Sequence, residues 1–135
     1  MKTLKFFFVA ILLTAVILPG CKKYPDGPSL SLRSRAARVA NVWKVESATE
    51  NGSDITSLLS GYTETYVKNG DYSFVFGSVN GSGKWAFQNN DAEIKVNGVS
   101  NQSSRTLTIL RLKEKEFWYK FTDNGDTYEY HLIPN

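Results

Sequence analysis

The stretch Phe117-Trp118-Tyr119-Lys120-Phe121-Thr122-Asp123-Asn124-Gly125-Asp126-Thr127-Tyr128-Glu129-Tyr130-His131-Leu132 decides the fold class. Phe117, Tyr119 and Phe121 fall on one side of a two-residue period, as do Tyr128, Tyr130 and Leu132, while Lys120 and Glu129 fall on the other. Between the two runs stands Asn124-Gly125, a pair that adopts the positive φ angles of a tight hairpin at little cost. The prediction is two half-buried antiparallel strands joined by a short turn.

The same texture extends upstream. Short runs rich in aromatic and β-branched residues fall at about 41–49, 62–68, 71–77, 83–88, 92–97, 105–112, 116–122 and 126–133. Tyr72, Phe74 and Phe76 share a face, as do Trp85 with Phe87, Ile94 with Val96 and Leu107 with Ile109, opposite Ser73, Lys84, Glu93, Lys95, Thr106 and Thr108. Asn69-Gly70 and Asn89-Asn90-Asp91 are further turn signals. An open meander of eight strands would leave two edges, and closure removes them. Residues 36–135 are therefore expected to form an all-β domain, a small eight-stranded antiparallel up-and-down barrel. Asp54 can start a helix, Ile55, Leu58 and Leu59 give it an apolar face, and Gly61 can end it, so residues 54–60 are read as a helical turn between the first two long strands, covering a barrel mouth.

The front of the chain has a different character. Lys2 and Lys5 precede an uncharged run from Phe6 to Leu18, which stops at Pro19-Gly20, short of the about 20 apolar residues a membrane span needs. Leu18-Pro19-Gly20-Cys21 resembles the lipobox of bacterial lipoproteins. That resemblance implies a signal peptide over residues 1–20, cleavage before Cys21, and attachment of diacylglycerol to its thiol with a further acyl chain such as palmitate on the freed amine. Two or more chains anchor a protein stably where one does not. Cys21 is the only cysteine, so no disulfide can form within the chain. Residues 21–35, with Pro25, Gly27 and Pro28, read as a lipidated tether. Lys22 and Lys23 in place of an acidic residue point to the outer membrane of the cell envelope.

Charge argues against a nucleic-acid partner. The chain has 16 basic and 13 acidic residues, and removing Lys2 and Lys5 with the leader leaves 14 against 13. Arg33, Arg35 and Arg38 are the one basic cluster of the mature domain, read as a solvated stretch facing anionic head groups rather than a nucleic-acid footprint.

Trp43 within Arg38-Val39-Ala40-Asn41-Val42-Trp43-Lys44-Val45, the closing Tyr128-Glu129-Tyr130-His131-Leu132 and the lipobox leader together resemble the lipocalin-like lipoproteins of the Bacteroidota, with Asn41 standing where lipocalins carry glycine. The resemblance covers essentially the whole chain. It implies that Trp43 plugs the barrel floor beneath a late basic residue, for which Arg111 is the candidate, a structural cation–π pair. It also implies a small apolar ligand within the barrel, lined by Tyr72, Phe74, Trp85, Phe87, Phe117 and Tyr119. The aromatic content equally permits a filled interior. The domain is then an envelope module whose outer face, with Trp118 and Tyr66 outward, binds another protein or a glycan.

Chemistry is sparse. The single histidine, His131, lies on a strand with no activated nucleophile that the sequence can pair with it. Carboxylates do not recur at metal-ligand spacing, and a calcium loop opening at Asp123 would need its glutamate where Pro134 stands. Gly81-Ser82-Gly83-Lys84 superficially resembles the end of a phosphate loop but leads into a strand, where a helix N-terminus is required. The sequence therefore predicts a non-enzymatic domain with no catalytic residues, no metal and no cofactor.

Overall fold

The computed structural model describes residues 23–25, 31–98 and 104–135. The expected leader and the expected lipidation site Cys21 lie outside the described residues. A short helix, α1 (Arg35–Val39), leads into β1 (Asn41–Glu50), the two-residue β2 (Ser53–Asp54) and a 3-10 turn (Thr56–Leu59). Then follow β3 (Thr63–Tyr66), β4 (Asp71–Phe76), β5 (Val79–Gln88), β6 (Glu93–Asn97), β7 (Arg105–Leu112), β8 (Phe117–Asp123) and β9 (Asp126–Pro134).

Neighbours pair antiparallel in the order β2-β1-β3-β4-β5-β6-β7-β8-β9, and β1 pairs again with β9 from Trp43 opposite Pro134 to Glu50 opposite Tyr128. The fold is thus a closed eight-stranded up-and-down barrel of β1 and β3–β9. Strand β2 is an extra flap hydrogen-bonded to the end of β1.

The turns form for the expected reason. Asn124 and Gly125 sit at φ 50° and 94°, and Asn89, Asn90 and Asp91 at 50°, 54° and 61°. Asn51-Gly52 does the same at 50° and 83°, making a β1–β2 hairpin that is not among the expected turns. At Gly70, φ is 97° and a Cβ would lie 3.3 Å from the Trp85 carbonyl oxygen, so both backbone angle and space call for glycine. The rejected phosphate loop Gly81-Ser82-Gly83-Lys84 is strand, paired along β4.

Two irregularities help the sheet close. The register shifts between Val45 and Ser47 on β1, and between Ile109 and Arg111 on β7, each leaving one extra residue that bends its strand. At one end of the barrel α1 forms a plug. The Ser34 hydroxyl caps the helix by accepting from the Ala37 amide at 3.2 Å, the fully buried Val39 packs into the core, and the Trp43 indole N–H donates to the Val39 carbonyl at 2.8 Å. The other end carries the β1–β2, β4–β5 and β8–β9 hairpins and the 3-10 turn. There Ile55 and Leu59 pack on the core and Leu58 is exposed, so the expected mouth-covering turn is a single 3-10 turn.

Candidate functional site

Strand β3 and the residue before it read Tyr62-Thr63-Glu64-Thr65-Tyr66, and every second side chain, Glu64 included, is turned into the barrel. Glu64 is 1% exposed. Removing an ion of this size from water costs several kcal/mol even after relaxation. The barrel offsets that cost with phenols. Tyr62 and Tyr72 donate their hydroxyl protons to Glu64 Oε1 at 2.7 and 2.8 Å, and Tyr66 and Tyr119 donate to Oε2 at 3.0 Å each. Two come from the glutamate's own segment, one from β4 and one from β8, so the contacts brace opposite walls of the barrel. Burial, followed by the negative charge of Glu64, pushes all four phenols well above the usual tyrosine range.

The rings that carry these hydroxyls occupy the bore. Tyr66 meets Tyr72, Trp85 and Phe117 edge-on, with centroids 5.0, 5.8 and 5.6 Å away. Phe74 lies 6.2 Å from Tyr62, Tyr119 5.1 Å from Phe117, and Phe87 5.5 Å from Trp85. Of the six residues expected to line a ligand cavity, Tyr72, Phe74, Trp85, Phe117 and Tyr119 are buried against other side chains and Phe87 is half-buried. Of the concavities of about 480, 500 and 380 Å³, the last is bordered by Tyr62 of the cluster, and only Phe87 among the six expected lining residues borders any of them. Toward the hairpin end, the Arg105 guanidinium carbon stands 4.6 Å from the Phe121 ring centroid. Burial works against its charge, but the oxygens of Tyr119, Tyr62, Glu64 and Tyr72 outweigh burial and leave it above the usual arginine value.

No protein-family model and no curated protein matches this chain. Function is therefore read from these side chains.

The outer wall holds a second aromatic cluster and corrects one expectation. Arg111 does not lie over Trp43. Its guanidinium carbon is 3.5 Å from the Trp118 ring centroid, because the extra residue Leu110 shifts the alternation and turns Arg111 outward opposite Trp118. Trp43 is fully buried at the helix end. On the other flank, His131 stacks on Trp118 with centroids 3.9 Å apart and planes 5° from parallel. His131 Nε2 lies 2.7 Å from Glu129, and Arg111 reaches Glu116 at 2.8 Å. Hydrogen bonds from Lys113 first and Arg111 second hold the Glu116 carboxyl below its usual range. With neighbours from β7 and β9 flanking it, Trp118 is no open stacking platform.

Two further expectations change. Tyr66 faces inward at 2% exposure, not outward. The arginine cluster is solvated only in part: Arg33 is exposed and pairs with Glu114 at 2.7 Å, whereas Arg35 pairs with Asp91 at 2.6 Å and Arg38, 8% exposed, donates to the Leu112 carbonyl at 2.6 Å. These contacts fasten α1 to the barrel.

Glu64 was the residue that sequence reading missed. Its signal was present in the period-two spacing with Tyr62 and Tyr66, but a lone carboxylate on a core face argues against burial until its partners are known.

Proposed function

We propose that this chain is a lipid-anchored envelope protein whose barrel is a solid scaffold that binds through its outer surface. The observation that carries this reading is the Glu64 cluster. Four phenols and a carboxylate meet in the bore, and a small apolar ligand entering there would have to displace satisfied hydrogen bonds to a charged group. The lipobox-like Leu18-Pro19-Gly20-Cys21 supports the anchor, and the resemblance to lipocalin-like lipoproteins of the Bacteroidota supports the location. On this reading Cys21 is the membrane contact, Tyr24, buried with its hydroxyl donating to the Asp91 carbonyl at 3.0 Å, holds the barrel close to that anchor, and a protein or glycan of the envelope is the partner.

The test has two parts. Organic extraction of the chain purified from membranes in neutral detergent, followed by mass spectrometry, is expected to return no stoichiometric lipid or metabolite beyond the anchor. A bound apolar molecule that survives purification would replace this reading with the internal-ligand one. Separately, Cys21→Ser is expected to abolish incorporation of labelled palmitate and to release the chain from the membrane fraction. Unchanged labelling and fractionation would remove the anchor from the proposal.

A further inference from the structure

The outer wall of β6–β9 carries a concavity of about 480 Å³ with two outward lysines, Lys95 and Lys120, and no carboxylate; Arg105 also lines it, but its guanidinium turns over Phe121 toward the Glu64 cluster. The ion pairs among the described residues engage Arg33, Arg35, Lys84, Arg111, Lys113 and His131, so neither Lys95 nor Lys120 is in an ion pair. The nearest carboxylates in register have hydrogen-bond partners of their own and do not line the groove. Glu93, opposite Thr108, accepts from Gln88 at 2.9 Å, and Glu129, opposite Lys120, lies 2.7 Å from His131. The lining between the cations is hydroxylic. Lys95 faces Thr106 across β6–β7, Lys120 faces Thr108 across β7–β8, and Thr122 faces Thr127 across β8–β9.

We propose that this groove binds an acidic polysaccharide, one bearing carboxylate or sulfate groups along its chain. The inference rests on the outer-surface reading above and gives it a place and a ligand class. Separated cations on a rigid wall match charges repeated along a polymer, and threonine hydroxyls both donate to and accept from sugar hydroxyls. A peptide has less to hold here. The strands of this wall are paired on both sides, so no sheet edge is offered for strand addition. A lipid surface has less still, because the exposed apolar side chains Val75, Phe76 and Val79 lie on β4–β5, away from this wall.

The experiment uses the full chain in neutral detergent, titrated calorimetrically with polygalacturonate, unmodified dextran and polyglutamate. Polygalacturonate is expected to bind with an affinity that falls as salt rises, dextran to give no heat, and polyglutamate to bind more weakly. The double variant Lys95→Glu with Lys120→Glu is expected to lose about tenfold in affinity or more, whereas Lys44→Glu with Lys68→Glu, an equal change in net charge, leaves it unaltered. Equal binding of dextran, equal binding of polyglutamate, or equal losses in the two double variants overturns the assignment. Backbone amide shifts on adding polygalacturonate separate the two levels of failure. Shifts confined to β6–β9 support the groove, shifts elsewhere on the outer wall overturn the groove alone, and shifts centred on Tyr62 and Tyr119 overturn the outer-surface reading with it.

Discussion

The bore and the outer wall of this barrel each hold a charged group among aromatic rings, and the two clusters are built on opposite principles. Inside, Glu64 is 1% exposed and takes four phenol protons. Outside, Arg111 and His131 flank Trp118, with the Arg111 side chain 20% exposed and that of Glu129 42%. Interior partners are obligatory, because a buried group that loses its hydrogen bond has no water to turn to. Exterior partners are optional, since solvent replaces them and salt screens them. Stability in this protein should therefore reside in the uncharged donors around a buried charge, and the visible ion pairs and stacks of the surface should contribute little.

The largest way to break the comparison is alkali. All seven tyrosines sit above their usual range, Tyr128 to about 12 through its hydrogen bond to Glu50 and the others chiefly through burial. A phenol whose folded pKa is raised contributes stability fully below the unfolded value near 10, and loses it at about 1.4 kcal/mol per pH unit above that. With several phenols buried together, absorbance at 295 nm should show little ionisation until one cooperative alkaline unfolding step. A gradual titration of independent tyrosines below pH 11 would mean that the bore is wet.

Next in size is Glu64→Leu, which strands four phenol hydroxyls in the core and should cost about 3–5 kcal/mol in urea unfolding. Replacing those four tyrosines with phenylalanine in the Glu64→Leu background should recover most of that loss, because an apolar group for every polar one removes the unsatisfied donors. If the fivefold variant is no more stable than Glu64→Leu alone, the cost belongs to packing and not to hydrogen bonds. Tyr119→Phe alone removes one donor to the charged acceptor and should cost roughly 1.5–3 kcal/mol. At the small end, Arg111→Ala on the outer wall should cost about 0.5–1 kcal/mol, with the difference shrinking as salt is added. A loss as large as that of Tyr119→Phe would erase the distinction between the two clusters.

Much of the barrel was legible because its signals are local. Alternation in residues 117–121 and 128–132 placed the correct faces, and Asn124-Gly125 and Asn89-Asn90-Asp91 named turns that do take positive φ. Legibility failed wherever a partner comes from afar. The bulge at Leu110 inverted the face expected for Arg111, since a one-residue insertion is invisible in a pattern that continues through Leu110 and Leu112. The helix at residues 35–39 is not among the expected elements, because a single helical turn has little stability of its own, and the barrel contacts of Arg35 and Arg38 supply it.

Period-two patterning and turn chemistry are properties of neighbouring residues, so the sequence by itself determined the eight barrel strands, their antiparallel order and the advantage of closing them. Glu64 could be placed only by the tertiary structure. Along the chain, Tyr62-Thr63-Glu64-Thr65-Tyr66 permits either face inward, and burying the glutamate looks the costlier choice. Closure brings Tyr72 from β4 and Tyr119 from β8 to join Tyr62 and Tyr66 around one carboxylate, and once those donors are in place the costly face becomes the satisfied one.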